Sequence, residues 1–268
     1  MVNYKMALKR PFLDAGNFAI GSLVIFALVA IMVLASIVTV MPVFRQLDLL
    51  TRNIIMAVLS SVIFVLPTAY FIKAGLSPSE KMPKFSAIKE LMAPAGKLLV
   101  ILIVYAIPLS IAAHYINILV FGPELVSDLD KIQFEPKAEG GEEAFIKPML
   151  AKLPVYIPIV LLWSIVAWTV ILASQFRFMD KKAVSINDAF SPEIFRIAFS
   201  PSFLLALIAS GLISLGIIVI FALISMILFI TIIGALLVPV LLAALMYYLS
   251  VIFMSIMGEA YLKAKKSI

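Results

Sequence analysis

Charged residues are absent from long tracts of this chain. Thirty residues between Asp14 and Arg45 carry no Lys, Arg, Asp or Glu, nor do 20 between Arg52 and Lys73, 26 between Lys97 and Glu124, or 24 between Lys152 and Arg177. From Ile197 to Gly258 the tract reaches 62 residues. A helix needs about 20 predominantly apolar residues to cross a bilayer. Each of the first four tracts therefore predicts one span, and the last predicts two. The turn inside the last tract is expected near Thr231 to Gly234, because glycine tolerates turn geometry. The predicted spans run over about 18–41, 53–73, 98–121, 154–176, 202–227 and 234–257. The expected fold is all-α: a polytopic transmembrane bundle of six spans, forming a single integral membrane domain over 1–268.

The segments between spans divide unequally in charge. The N-terminus, the second and fourth loops and the C-terminus hold 15 basic and 7 acidic residues, whereas the other side holds 6 basic and 8 acidic ones. Short loops rich in Lys and Arg stay in the cytoplasm, which predicts cytoplasmic N- and C-termini and insertion in the cytoplasmic membrane. A short amphipathic stretch precedes each hairpin on the basic side. These are Tyr4 to Phe12, Met82 to Ala93, and Ser191 to Phe199, the last opening with Ser191 as N-cap, Pro192 at the first helical position and Glu193 in the first turn. Such helices lie in the membrane interface with the apolar face down. The densest basic patch is Lys81, Lys84, Lys89 and Lys97, close to Phe85 and Ile88, and membrane lipids are its expected partner. The same charges are also accounted for by topology alone.

Composition agrees with this reading. Hydrophobic residues make up 64% of the chain and charged residues 13%, against roughly half and a quarter in soluble domains. There is no cysteine, so disulfides, thiolate metal sites and a cysteine nucleophile are excluded. The net charge of +6 resides at span ends, so nucleic acid is not an expected partner. The first apolar tract is longer than a signal-peptide core of roughly 7–15 residues and lacks a small-x-small cleavage site, so no cleavable signal is expected.

Candidate chemistry is sparse. His114 is the one ionisable residue of its kind inside a predicted span, and intramembrane ionisable groups are functional candidates. It has no second histidine or carboxylate at helical spacing, and a neutral imidazole is satisfied by a single neighbour. Pro67, Pro108, Pro158 and Pro239 fall inside spans, where they kink helices. Broken helices line transporter sites, but packing explains them equally well. Ala206, Ser210, Gly211 and Ser214 give the fifth span a small-residue face for close packing. Trp163, Trp168, Tyr247 and Tyr248 lie within spans; they would either fill the core or line a cavity for an apolar ligand. The longest polar segment is an acidic outer loop, 122–153, with Gly140-Gly141 as a turn and Phe145, Met149 and Leu153 as a short surface helix. Its spacing fits no EF-hand, and it is the expected docking surface for a protein partner. No nucleophile–base pair, phosphate loop, dinucleotide fingerprint or paired catalytic carboxylate is present. Neither a cofactor, a metal nor an enzymatic activity is expected.

Three stretches resemble a family of multi-pass membrane proteins, mostly archaeal, known as a domain of unknown function. They are Ala7 to Asp14, the join from Ala69-Tyr70 through Met82-Pro83-Lys84-Phe85 to Gly96, and Gly258-Glu259-Ala260-Tyr261 after the last span. Ala69 and Phe85 differ from the family's residues at those places. The resemblance implies topology and brings no site residues. Function is therefore expected to be that of a non-enzymatic scaffold or accessory subunit of a membrane complex, with a transporter or exporter of an apolar or amphiphilic solute as the alternative.

Overall fold

The protein is described here by a computed structural model covering residues 2–38, 47–77, 82–126, 141–182, 185–229 and 232–267. In hydrocarbon every backbone N–H and C=O must be satisfied within the segment, which selects helices. The described residues are all-α. A short helix α1 (Tyr4–Lys9) runs through a 3-10 turn (Arg10–Leu13) into α2 (Ala15–Val38). Helix α3 (Leu49–Leu76) follows, then a 3-10 stretch (Phe85–Leu91) that leads directly into α4 (Met92–Phe121). Helix α5 covers Gly141–Asp180, a 3-10 turn covers Ile186–Phe190, and the short α6 (Glu193–Ala198) precedes α7 (Pro201–Phe229) and α8 (Ile232–Lys266). Among the described residues, six helices are long and apolar enough to cross a membrane. The chain is a multi-pass membrane protein.

The six predicted spans each coincide with one of these helices, but the helices outrun them. Helix α5 begins at Gly141 rather than near 154, so the last part of the expected outer loop 122–153 is helical and continuous with the span. Phe145, Met149 and Leu153 belong to α5 and not to a separate surface helix, since α5 runs through Pro148 and Pro154 without interruption. Residues 127–140, with most of the loop's acids, lie outside the described residues. Helix α8 starts at Ile232, so Gly234 is already helical and not part of a turn; Thr231 lies outside the described residues. Pro67, Pro108 and Pro239 sit inside α3, α4 and α8, and Pro158 falls within α5.

The chain divides into two compact units: Met1–Met32, Ile63–Ile101 and Thr169–Ile268 form the first, and Val33–Val62 and Leu102–Trp168 the second. In unit 1, α7 packs along α8 through buried Phe203, Ala206 and Ser210, and the Ser210 hydroxyl points at Met257. That confirms the small-residue face at Ala206 and Ser210; Gly211 faces open space. The closest approach is between α3 and α8. A Cβ on Gly258 would fall on the backbone of Gly75, and one on Gly75 would fall on the Met254 carbonyl. Two helices meet there backbone to backbone, which only glycine permits. Gly21 of α2 receives the ring of Tyr247 in the same way. An aromatic cluster of Phe18, Tyr70, Phe71 and Tyr247 fills the space around them.

Unit 2 joins the ends of α4 and α5. Gly122, at φ +89°, closes α4 in the left-handed conformation and returns its N–H to the Ile118 carbonyl at 2.8 Å, a C-terminal cap that favours glycine. Lys152 donates to the Phe121 carbonyl at 2.8 Å, and the Tyr156 hydroxyl donates to Asn117 at 2.8 Å. At the start of α3, Asp48 accepts from the Thr51 N–H at 2.9 Å and from its hydroxyl at 2.7 Å. Those bonds hold the Asp48 carboxyl below its ordinary pKa.

Candidate functional site: the polar end of unit 1

Polar groups from every part of unit 1 converge where its helices end. Arg10 leaves the short N-terminal helix and is only 4% exposed. Its guanidinium donates to the Ser77 carbonyl at 2.8 Å and to the Ser255 hydroxyl at 3.0 Å. It thereby fastens the N-terminal segment to the end of α3 and to the body of α8. Its Nε is buried with no partner among the described residues. Burial pulls the Arg10 pKa down, opposed by the neighbouring Tyr70 and Tyr247, but a guanidinium stays charged in proteins. The Asn3 N–H donates to Glu259 at 2.8 Å, and Tyr248 donates to the Leu8 carbonyl at 3.3 Å. The second loop is held by Tyr70 and Asn17, both donating to the Pro83 carbonyl, at 2.8 and 3.3 Å. Phe85 stacks on Tyr70 with ring centres 4.6 Å apart.

The end of α5 completes the cluster. Asp180 accepts from Tyr261 at 3.0 Å and pairs with Lys265. Arg177 pairs with Glu193 at the start of α6. Lys182, two residues further on, has φ +59°. A non-glycine residue in the left-handed region carries roughly 1–2 kcal/mol of strain. Its N–H reaches back to the Met179 carbonyl at 3.1 Å, so the strained residue serves as the terminal cap. The N-terminus, the second and fourth loops and the C-terminus are thus bound to one another at a single end of unit 1.

Among the described residues, unit 1 holds a cavity at its polar end and an apolar one deeper in. The larger, about 410 Å³, lies at the polar end between Lys73, Glu90, Leu91, Met179, Asp180 and Lys182. Lys73 and Glu90 form an ion pair at 3.3 Å on its wall. The smaller, about 130 Å³, is apolar and lies deeper, against Gly21, Leu66, Pro67, Tyr70, Phe71 and Tyr247.

The sequence-predicted candidates fall elsewhere or only partly here. His114 is half-buried in unit 2, beside Tyr115; its Nδ1 is buried with no partner among the described residues. Among the described residues no cluster of His, Asp or Glu could hold a metal. Lys84, the N-cap of the 3-10 stretch, and Lys89 within it are exposed, Lys97 is half-buried in α4, and Lys81 lies outside the described residues. The three amphipathic stretches do contain short helices, but their apolar faces turn inward as well as outward. Leu91, Ile194 and Ile197 are buried while Met92 and Phe195 are exposed. Phe85 and Ile88 turn toward the helices of unit 1. The cap of α6 is displaced by one position: Pro192 is the N-cap, and the Ser191 hydroxyl accepts from the Glu193 N–H at 3.3 Å. Trp168 is 57% exposed, whereas Tyr247 is buried and lines the apolar cavity.

Arg10 was legible only as one charge among several, and its role as a clasp follows from the fold. Arg10, the Tyr70–Pro83 bond, and Glu259 and Tyr261 of α8 all belong to this end. No family model, no curated protein and no solved structure matches the chain.

Proposed function

We propose that the chain is a non-enzymatic component of the cytoplasmic membrane, a scaffold or accessory subunit, with both termini in the cytoplasm. The observation that carries this reading is the backbone contact of Gly75 with Gly258, reinforced by the Arg10 clasp. A carrier works by rocking or gating one group of helices against another. Here α3 and α8 meet without side chains between them, and a third segment ties the two together at the polar end. Such an end suits a fixed platform. The excess of Lys and Arg on the segments gathered there supports the cytoplasmic orientation. The acidic segment between α4 and α5 is then the docking surface for a protein partner.

The transporter reading draws on the apolar cavity beside Pro67 and Tyr247. At about 130 Å³ it is smaller than ligand pockets, which span roughly 300–1,000 Å³, and that favours the scaffold. The chain lacks cysteine, so spin labels can be placed cleanly at Lys84 and Lys266, both exposed at this end. A single narrow distance distribution in liposomes is expected. Two populations that exchange with conditions would overturn the scaffold in favour of alternating access.

A further inference from the structure

We propose that the cleft at the polar end of unit 1 binds the headgroup of a zwitterionic phospholipid that carries a primary amine. This goes beyond the scaffold reading and requires only that the chain spans a membrane. The cleft lies at the ends of the span helices α3 and α5, beside Leu76 and Asp180, where a helix that has crossed the hydrocarbon would meet lipid headgroups. Its volume of about 410 Å³ falls within the roughly 300–1,000 Å³ of small-ligand pockets.

Its charges decide the class of ligand. Lys73 and Lys182 supply two positive groups, and Glu90 and Asp180 supply two negative ones. A net-neutral wall does not select an anionic headgroup over a neutral one, but it complements a headgroup that carries both signs. An ammonium has three donors and a carboxylate accepts through two oxygens. The single bond between Lys73 and Glu90 therefore leaves both with capacity. Glu90 is 74% exposed in its side chain and open to a ligand's ammonium. Asp180 uses Oδ2 for Tyr261 and Lys265, and its other oxygen has no such bond among the described residues. A lipid phosphate would lie against the Lys73 and Lys182 ammonium groups. A primary amine can donate to both carboxylates, which a trimethylated amine cannot do. Leu91 and Met179 give the cleft an apolar wall that suits the glycerol and first methylenes. The strain at Lys182 fits this placement, because strained residues concentrate where a side chain must be held for a ligand.

The test uses the full chain in detergent, offered equal amounts of phosphatidylethanolamine, phosphatidylcholine and phosphatidylglycerol of matched chains, with retention read by native mass spectrometry. Phosphatidylethanolamine should be retained above both others. Glu90→Gln and Lys182→Gln, each at an exposed position, should lower that retention by roughly two- to fivefold, the range expected of solvent-exposed charge pairs. Circular dichroism melting should show both variants folded. Equal retention of the three lipids, a preference for phosphatidylglycerol, or folded variants that bind as the wild type does would overturn the proposal. Soluble phosphoethanolamine provides a separate arm. Failure to displace the lipid supports the membrane source, whereas displacement at concentrations comparable to the lipid would make a free phosphorylated amine the ligand and overturn the lipid assignment.

Discussion

The two units hold themselves together by different means. Unit 1 ties distant parts of the chain with polar side chains and bare backbone contacts: the buried Arg10 to Ser77 and Ser255, the exposed Asn3 to Glu259, Gly75 to Gly258. Unit 2 joins α4 to α5 through Lys152 and Tyr156, and large apolar side chains stand exposed in both units, Leu119 and Leu162 in unit 2 and Leu205 and Leu212 in unit 1 among them. In water that exposure would be costly. In a bilayer it is neutral, since lipid tails are as apolar as leucine and do not drive helices together. What fixes helices against each other in a membrane is close packing of small residues and a few well-made hydrogen bonds. Unit 1 concentrates both at its polar end.

The contrast is sharpest at the glycine crossing. Gly258→Ala places a methyl against the Gly75 backbone, which cannot swing aside as a side chain can. It should destabilise the detergent-solubilised protein by about 3 kcal/mol, the upper part of the usual overpacking range. Gly211→Ala, whose new methyl meets nothing within 4 Å, should leave thermal unfolding almost unchanged. Equal effects of the two substitutions would remove the crossing from the account.

Arg10→Met comes next. It keeps a long apolar stem but abandons the Ser77 carbonyl and the Ser255 hydroxyl. A loss of about 2 kcal/mol follows from the worth of hydrogen bonds to a charged group, with faster amide exchange in the first helix. Wild-type exchange there would show that the clasp is ornamental. In unit 2, Tyr156→Phe removes one interhelical bond to Asn117. It should cost only about 0.6 kcal/mol, the average measured for such bonds in membranes. A loss as large as that of Arg10→Met would erase the difference between the units.

Much of the fold was legible in the sequence because the bilayer imposes a length on every charge-free tract. Charge gaps cannot mark helix ends, however. Lys147 and Lys152 lie within α5, and Lys263 and Lys265 within α8, because a helix continues through polar residues once it leaves the hydrocarbon. The polar end was legible only in its separate segments. Arg10 stands in a run with Lys5 and Lys9 that positive-inside counting treats alike, and only burial distinguishes it. Gly75 and Gly258 are far apart in the chain, so nothing local pairs them. The cleft's charges come from α3, the 3-10 stretch and the end of α5, and no spacing rule could bring them together.

The smallest effect belongs to the start of α3. The Asp48 carboxyl is held below its ordinary pKa by Thr51. Its contribution is therefore complete above the unfolded value, about 3.9, and is lost as pH falls through the folded value. Protection of the Thr51 amide from exchange, corrected for intrinsic rates, should decline slightly over that acidic window. Asp48→Asn should show less of this decline. A decline of equal size in the variant would assign it to other groups.

The proposed topology puts the N-terminus, the second and fourth loops and the C-terminus together on the cytoplasmic side. Single cysteines introduced into this cysteine-free chain test it directly with a membrane-impermeant thiol reagent. Ser185→Cys and Ser267→Cys should label only after permeabilisation, and Glu139→Cys should label in intact cells. Labelling of Ser185→Cys or Ser267→Cys from outside, or protection of Glu139→Cys until the membrane is opened, would contradict the account.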